Sequence, residues 1–225
     1  MIYCSEISGV KNLVLADRLG ACYSGAVYDV LREFGVKNRV LPHTIKGVNA
    51  SDRIAGPAFT MTGARVNLDT HETLLRWTAF LSKVPAGAVV VCQPNDDELA
   101  HMGELSAETL LLRGVKGYVV DGGTRDTSYV MQIGFPVFCR YQTPADIVGR
   151  WAPTELQHPV RIGDVTVRPD DLIFGDIDGV VAVPSDMAQR VVDRVEEIMK
   201  TENRVRTAIR AGADPQQAYL EFGLF

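Results

Sequence analysis

The chain has 225 residues, 46% of them hydrophobic and 23% charged, with a formal net charge of −5 and a pI near 5.4. That composition suits a globular chain with a buried core. The 23 basic residues are scattered rather than striped, which argues against a nucleic-acid partner. No stretch reaches the roughly eighteen apolar residues of a membrane span, and MIYCSEISGV lacks the basic-then-apolar pattern of a leader, so a cytoplasmic protein is expected. Cys4, Cys22, Cys92 and Cys139 lie far apart without C-x-x-C spacing and read as buried reduced thiols.

From Asn12 to Phe34 the apolar residues recur at helical spacing, interrupted at Gly20 and stopped at Gly35, which predicts two successive helices. Gly56 to Val66 alternates and is rich in strand formers; Thr70 to Leu81 is helical in pattern; Gly87 to Gln93 reads as a fully buried strand. A helix closed by Gly114 follows, then a buried strand at Gly117 to Asp121, a short helix at Thr127 to Ile133 and a third strand at Pro136 to Tyr141. Arg140 to Pro159 reads as an inserted loop. VRIGDVTVRPDD reads as a hairpin arm outside the core, GVVAVP as another buried strand, Met187 to Arg210 as a long helix, and GADPQQAYLEFG as a short capped helix. The middle is therefore β-α-β-α-β, an α/β chain with a mainly parallel core. No linker or internal repeat divides it, so one domain over 1–225 is expected, with helices in 12–34 and 187–222 as extensions.

In an open α/β sheet ligands bind beyond the carboxyl ends of the strands. Gln93 to Asp97 and Asp121 to Asp126 occupy such places. In Asp121-Gly122-Gly123-Thr124-Arg125-Asp126 the glycines would permit a sharp turn or a close approach to a ligand. Arg125 beside Asp126 reads in two ways: a structural ion pair, or an anion and metal site. The helix around Leu105 starts either at Gly103, leaving the N–H groups of Gly103 to Ser106 free to attract an anion, or at Asp97, with Asp97, His101, Glu104 and Glu108 on one polar stripe. The break at His101-Met102-Gly103 favours the later start. His101, three residues before Glu104, could be a metal ligand, although a lone histidine at a helix start is more often a polar contact.

GELSAETLLLRGVKGYVVDGGTRD, followed by GFPVF and GDIDGVVAVP, resembles the RraA-like family, which contains 4-hydroxy-4-methyl-2-oxoglutarate and 4-carboxy-4-hydroxy-2-oxoadipate aldolases. The likeness runs from Gly56 to the last strand and implies a swivelling β/β/α fold with helices packed on the sheet. It implies that Gly103, Glu104, Leu105 and Ser106 bind the carboxylate of a pyruvate-like group through their backbone, that Arg125 contacts the 2-oxo and enolate oxygen, and that Asp126 is the one direct protein ligand of Mg²⁺ or Mn²⁺. Glu104 stands where the aldolases usually have Asp; a metal-bound water held by it is the candidate base for the 4-hydroxyl proton. The family's regulators of ribonuclease E activity lack the aspartate of the R-D pair, which is present here.

The resemblance implies a metal-dependent aldolase that cleaves a 4-hydroxy-2-oxo acid carrying further carboxylates to pyruvate and a second oxo acid, with oxaloacetate decarboxylation as a side activity. Its partner would be a small 2-oxo acid, and its assembly a homotrimer or homohexamer. The competing reading is a non-catalytic regulator of the same fold. Lys83 and Lys116 precede buried strands at the end opposite the site, which disfavours a Schiff base, and no G-x-S-x-G, H-E-x-x-H or P-loop occurs.

Overall fold

The computed structural model describes residues 12–225, so MIYCSEISGV and Cys4 lie outside the described part. Two helices open it, α1 over residues 12–20 and α2 at Ser24–Glu33, with Gly35 in the left-handed region at φ +71° just beyond. A short β1 (Lys46–Gly47) precedes β2 (Ile54–Arg65), α3 (Thr70–Lys83) and β3 (Val89–Gln93). Then come α4 (Glu104–Leu112), β4 (Gly117–Val120), β5 (Gly123–Thr124), α5 (Thr127–Ile133) and β6 (Val137–Cys139). The pattern β2-α3-β3-α4-β4-α5-β6 is the predicted alternation, and its strands pair in parallel: Ala58 to Thr62 with Val89 to Gln93, Val89 to Cys92 with Gly117 to Val120, and Tyr118 and Val119 with Val137 and Phe138. Each crossover needs a helix because parallel neighbours cannot be joined by a tight turn.

β2 is long enough to serve two further partners. Its first four residues pair antiparallel with β11 (Leu172–Asp176), which turns back into β12 (Gly179–Val183); its last five pair with β8 (Trp151–Leu156). The strand order is β1-β6-β4-β3-β2-β11-β12. Val40 bridges Val181 and the Leu41 N–H donates to the Val180 carbonyl at 2.9 Å, so residues 40–47 reach from β12 to the β6 edge and the sheet nearly closes into a barrel.

Closure explains the apolar runs. On β3, Val89 and Val91 point inward to join Ile54, Val119, Phe138 and Ile173, while Val90 and Cys92 point outward to Phe80, Leu110 and Tyr118. Strands buried on both faces lose the apolar-polar alternation. A separate outer layer sets α1, α2 and α6 (Ala188–Arg210) against Leu172, Phe174, Val181 and Val183. The chain ends in α7 (Pro215–Phe222), where the Asp214 carboxylate accepts from the Gln216 and Gln217 N–H groups.

The structure corrects the sequence reading in three places. Residues 140–159 are not a plain loop: they hold β7 (Tyr141–Gln142) and β8. Pro153 hides β8 from a pattern reading, because proline is tolerated only on a strand edge, and β8 pairs with β2 alone. β11, missed altogether, is five buried residues without alternation, which periodicity cannot separate from a loop. The hairpin of β9 (Val160–Ile162) and β10 (Val165–Val167) does not lie outside the core; its four valine and isoleucine side chains fill the barrel interior. Cys22, Cys92 and Cys139 are buried and unpaired, and burial pushes the Cys92 and Cys139 thiols up to about 12. No helix among the described residues is long and apolar enough to cross a membrane.

Candidate functional site

The chain between β4 and α5 brings Arg125 and Asp126 to the lining of a cleft of about 430 Å³. Its backbone is laced on both sides. On one side Ala100 bridges Gly123, the His101 N–H donates to the Gly123 carbonyl at 2.8 Å, and the Arg125 N–H donates to Met102 O at 2.9 Å. On the other β5 pairs with β7, and the Arg140 N–H donates to Gly122 O at 2.9 Å. The two glycines make room for this packing. A Cβ at 122 would lie 2.8 Å from His101 Nδ1, and one at 123 would lie 2.5 Å from Tyr141 Cε2 and 2.6 Å from Leu99 O. Three residues after Gly123, Asp126 turns the chain into α5 with a left-handed φ of 55°.

α4 starts at the later of the two candidate positions, with Gly103 at its N-cap, and offers no side-chain cap of its own. Asp126 supplies one from across the cleft: its Oδ2 accepts from the Glu104 N–H at 3.1 Å. The same oxygen lies 3.4 Å from Arg125 Nε. Gly103 has no side chain because there is no room for one; a Cβ would stand 2.7 Å from Asp126 Oδ2 and 3.1 Å from Arg125 Nε. Gly103, Glu104, Leu105, Ser106, Arg125 and Asp126, separated by about twenty residues in the chain, therefore line one cleft. Of the four predicted amides, Glu104 is already engaged, which leaves those of Gly103, Leu105 and Ser106 to meet an anion. Arg125 and Asp126 are 39% and 34% exposed, open to the cleft rather than sealed in the interior.

Three groups were not singled out from sequence. Asp146 Oδ2 lies 3.3 Å from Arg125 Nη1, and its Oδ1 accepts from the Val148 N–H at 3.2 Å in a local turn. Trp77, on α3, donates its indole N–H to Ser106 Oγ at 2.8 Å and fixes that side chain. Ile147 and Val148 complete the wall. All sit where no motif marks them; an Asp two residues before a turn is the only available signal.

His101 is not placed as a ligand. Its ring is fully buried, edge-on to Trp151 at 4.9 Å between centroids, with Nε2 3.3 Å from Asp96 Oδ2 but neither nitrogen in a well-formed hydrogen bond. Burial holds its pKa down at about 4, against the pull of the Asp96 charge, so the ring is neutral at pH 7. Burial tends to raise Asp96, yet N–H donors from Leu99 and Glu98 and the nearby Arg65 guanidinium keep its carboxyl below the usual range. Asp121 takes Arg140 as its partner at 3.6 Å, outside the cleft. Asp176 and Asp178 fix the turn into β12: Asp176 Oδ1 accepts from the Asp178 N–H at 3.0 Å. Asp176 also anchors α2, accepting from the Ser24 N–H at 2.9 Å and the Ser24 hydroxyl at 2.7 Å.

Among the described residues no three His, Cys, Asp or Glu side chains converge to cage a metal. Asp126 Oδ1, free of the contacts that occupy Oδ2, is a single hard oxygen beside a helix end that attracts anions. Such a donor suits a cation that keeps several waters and is completed by a ligand's own oxygens, as Mg²⁺ does.

A family model described as RraA-like, Aldolase/RraA, matches residues 24–182. The chain belongs to the RraA-like family. The chain is 32% identical over 206 residues to protein DlpA of Legionella pneumophila, covering 91% of this chain but 33% of DlpA. It is 30% identical over 181 residues to a Halalkalibacterium halodurans protein named "Putative 4-hydroxy-4-methyl-2-oxoglutarate aldolase", covering 80% of this chain and 83% of that protein. Among solved structures, RraAS2 of Streptomyces coelicolor, described as an unusual member of the RNase ES inhibitor RraA protein family, superposes with a TM-score of 0.75 at 28% identity, covering 85% of this chain and 95% of that one. The RraA-like match begins at α2 and ends in β12, so it contains the whole cleft.

Proposed function

We propose that this chain is a divalent-metal-dependent aldolase that cleaves a 4-hydroxy-2-oxo acid to pyruvate and a second oxo acid, with decarboxylation of oxaloacetate as a side activity. One observation carries the reading: a guanidinium, a carboxylate and an open helix N-terminus meet around Gly103, which has no room for a Cβ. The name borne by the Halalkalibacterium relative supports the same reaction class. The Gly103, Leu105 and Ser106 N–H groups would receive the substrate carboxylate, aided by the dipole of α4. Mg²⁺ or Mn²⁺ on Asp126 would supply a Lewis acid to the 2-oxo group. Glu104, exposed at the same helix start, would take the 4-hydroxyl proton directly or through a water. As the C3–C4 bond breaks, its electron pair passes to an enolate, and a proton returned to C3 gives pyruvate. Arg125 would lie beside the enolate oxygen, held by Asp126 and Asp146, so that its charge binds the transition state better than the ground state.

A homotrimer or homohexamer in the cytoplasm is part of the proposal. The exposed Leu75 and Leu112 on α3 and α4 support a contact between copies. A pyruvate-release assay over a panel of 4-hydroxy-2-oxo acids plus oxaloacetate tests the reaction. Turnover that needs Mg²⁺ or Mn²⁺ and disappears in Asp126→Ala is expected; full turnover in excess chelator, or no turnover of any member, removes the aldolase reading and leaves a binding protein.

A further inference from the structure

A hydroxyl on a helix commonly donates to the carbonyl four residues back. Thr109 on α4 and Thr73, Thr78 and Ser82 on α3 all do so, at 2.7 to 2.9 Å. Ser106, the third residue of α4, does not. The carbonyl it would use, Met102 O, already accepts from the Arg125 N–H at 2.9 Å and from Thr124 Oγ1 at 3.1 Å, which fills both lone pairs. Instead Ser106 Oγ accepts from the Trp77 indole N–H at 2.8 Å. An indole can only donate, so this bond takes an acceptor site of the oxygen and turns the hydroxyl proton away from the ring. Trp77 is 6% exposed and packed against the Phe80 and Trp151 rings, so the core fixes the direction it imposes.

Side chains of a helix lean back toward its N-terminus, and Ser106 and Trp77 share the cleft with Gly103 and Arg125. Among the described residues no acceptor takes the Ser106 proton. We infer that the Ser106 hydroxyl is a further substrate ligand, donating to the carboxylate received by the α4 amides, and that Trp77 is the positioning residue that aims it. The inference rests on the aldolase reading and adds a side-chain donor to a pocket otherwise made of backbone. The substrate carboxylate takes no part in the bond cleavage, so this contact is the same in ground and transition states and acts on binding rather than on the chemical step.

Calorimetry on the full chain with saturating Mg²⁺, titrating oxalate, tests it together with pyruvate-release kinetics. Ser106→Ala should weaken oxalate about tenfold, the effect of one hydrogen bond to a charged group, and raise KM by a similar factor with kcat within about twofold. Its affinity for Mg²⁺ alone should be unchanged. Alanine suits this half-buried helix position, so the variant keeps the fold. Trp77→Phe keeps a ring in the core and removes the N–H; it should weaken oxalate about threefold in the native background and not at all in Ser106→Ala, a dependence that loosened packing would not show. Oxalate affinity unchanged in Ser106→Ala, as when a second copy takes the hydroxyl proton, or a fall in kcat in place of the rise in KM, overturns the inference and leaves the aldolase reading in place. Equal losses from Trp77→Phe in both backgrounds overturn the role of Trp77. Oxalate bound by neither the native chain nor the variants overturns the aldolase reading as well.

Discussion

Gly103→Ala isolates the site from the fold. The backbone at 103 is extended, with φ −150° and ψ −177°, so alanine is not strained there. The clash is local: the new Cβ would stand 2.7 Å from Asp126 Oδ2, where ordinary contact begins at 3.4 Å, so the carboxylate must retreat by about 0.7 Å. That retreat breaks the 3.1 Å hydrogen bond from the Glu104 N–H and moves the Arg125 side chain, whose Nε would be 3.1 Å from the same Cβ. The bond is solvent-exposed and water can replace it, so stability should fall by only about 1 kcal/mol, or roughly 2–4 °C in Tm. Displacing reacting groups by the better part of an ångström costs far more in rate, on the order of 100-fold in kcat/KM for pyruvate release. Differential scanning calorimetry and the pyruvate assay, on the same preparation, read the two effects separately. Retention of kcat/KM within about threefold, or a loss of activity only in proportion to unfolding, would refute the placement of Arg125 and Asp126 at the reacting centre.

The other predictions concern the fold and its response to pH. Asp176→Ala removes a buried acceptor from the Ser24 N–H, the Ser24 hydroxyl and the Asp178 N–H; it should cost about 3 kcal/mol or more in urea unfolding, well beyond any change in the cleft. His101 should make the protein acid-sensitive. Its folded pKa near 4 lies below the ordinary 6.5, so the unfolded chain binds the extra proton and stability is lost as pH falls from about 6.5 toward 4. The full effect, up to about 3 kcal/mol, is present above that window. His101→Gln should flatten the slope of stability against pH there; an unchanged slope would reject the assignment.

Much of this molecule is legible in its sequence because the parallel strands are short, apolar and bounded by glycine, and the intervening helices keep a clear period. β3, β4 and α5 fall where the pattern puts them. The antiparallel additions are harder. β8 carries Pro153, and its opening Trp151 is buried over Gly63, where any Cβ would overlap the indole, a fit no local pattern announces. At the site, Arg125 and Asp126 are visible as a charged pair after a buried strand, and the helix start as a glycine before Glu104. Their meeting across Gly103 is a tertiary event. Asp146 and Trp77 belong to other elements and show no chemistry until packing brings them to Arg125 and Ser106. The sense of Gly122 and Gly123 is equally tertiary, since what approaches them is a histidine ring and a tyrosine ring.

The central claim is that Asp126 anchors a divalent cation to which a 2-oxo acid binds beside Arg125. Titrating oxalate, a mimic of the pyruvate enolate, by calorimetry with and without Mg²⁺ tests it most directly. Oxalate should bind with Mg²⁺ present, weaken at least about tenfold without it, and lose that dependence in Asp126→Ala. Oxalate affinity that ignores Mg²⁺, or coupling that persists undiminished in Asp126→Ala, would contradict the account.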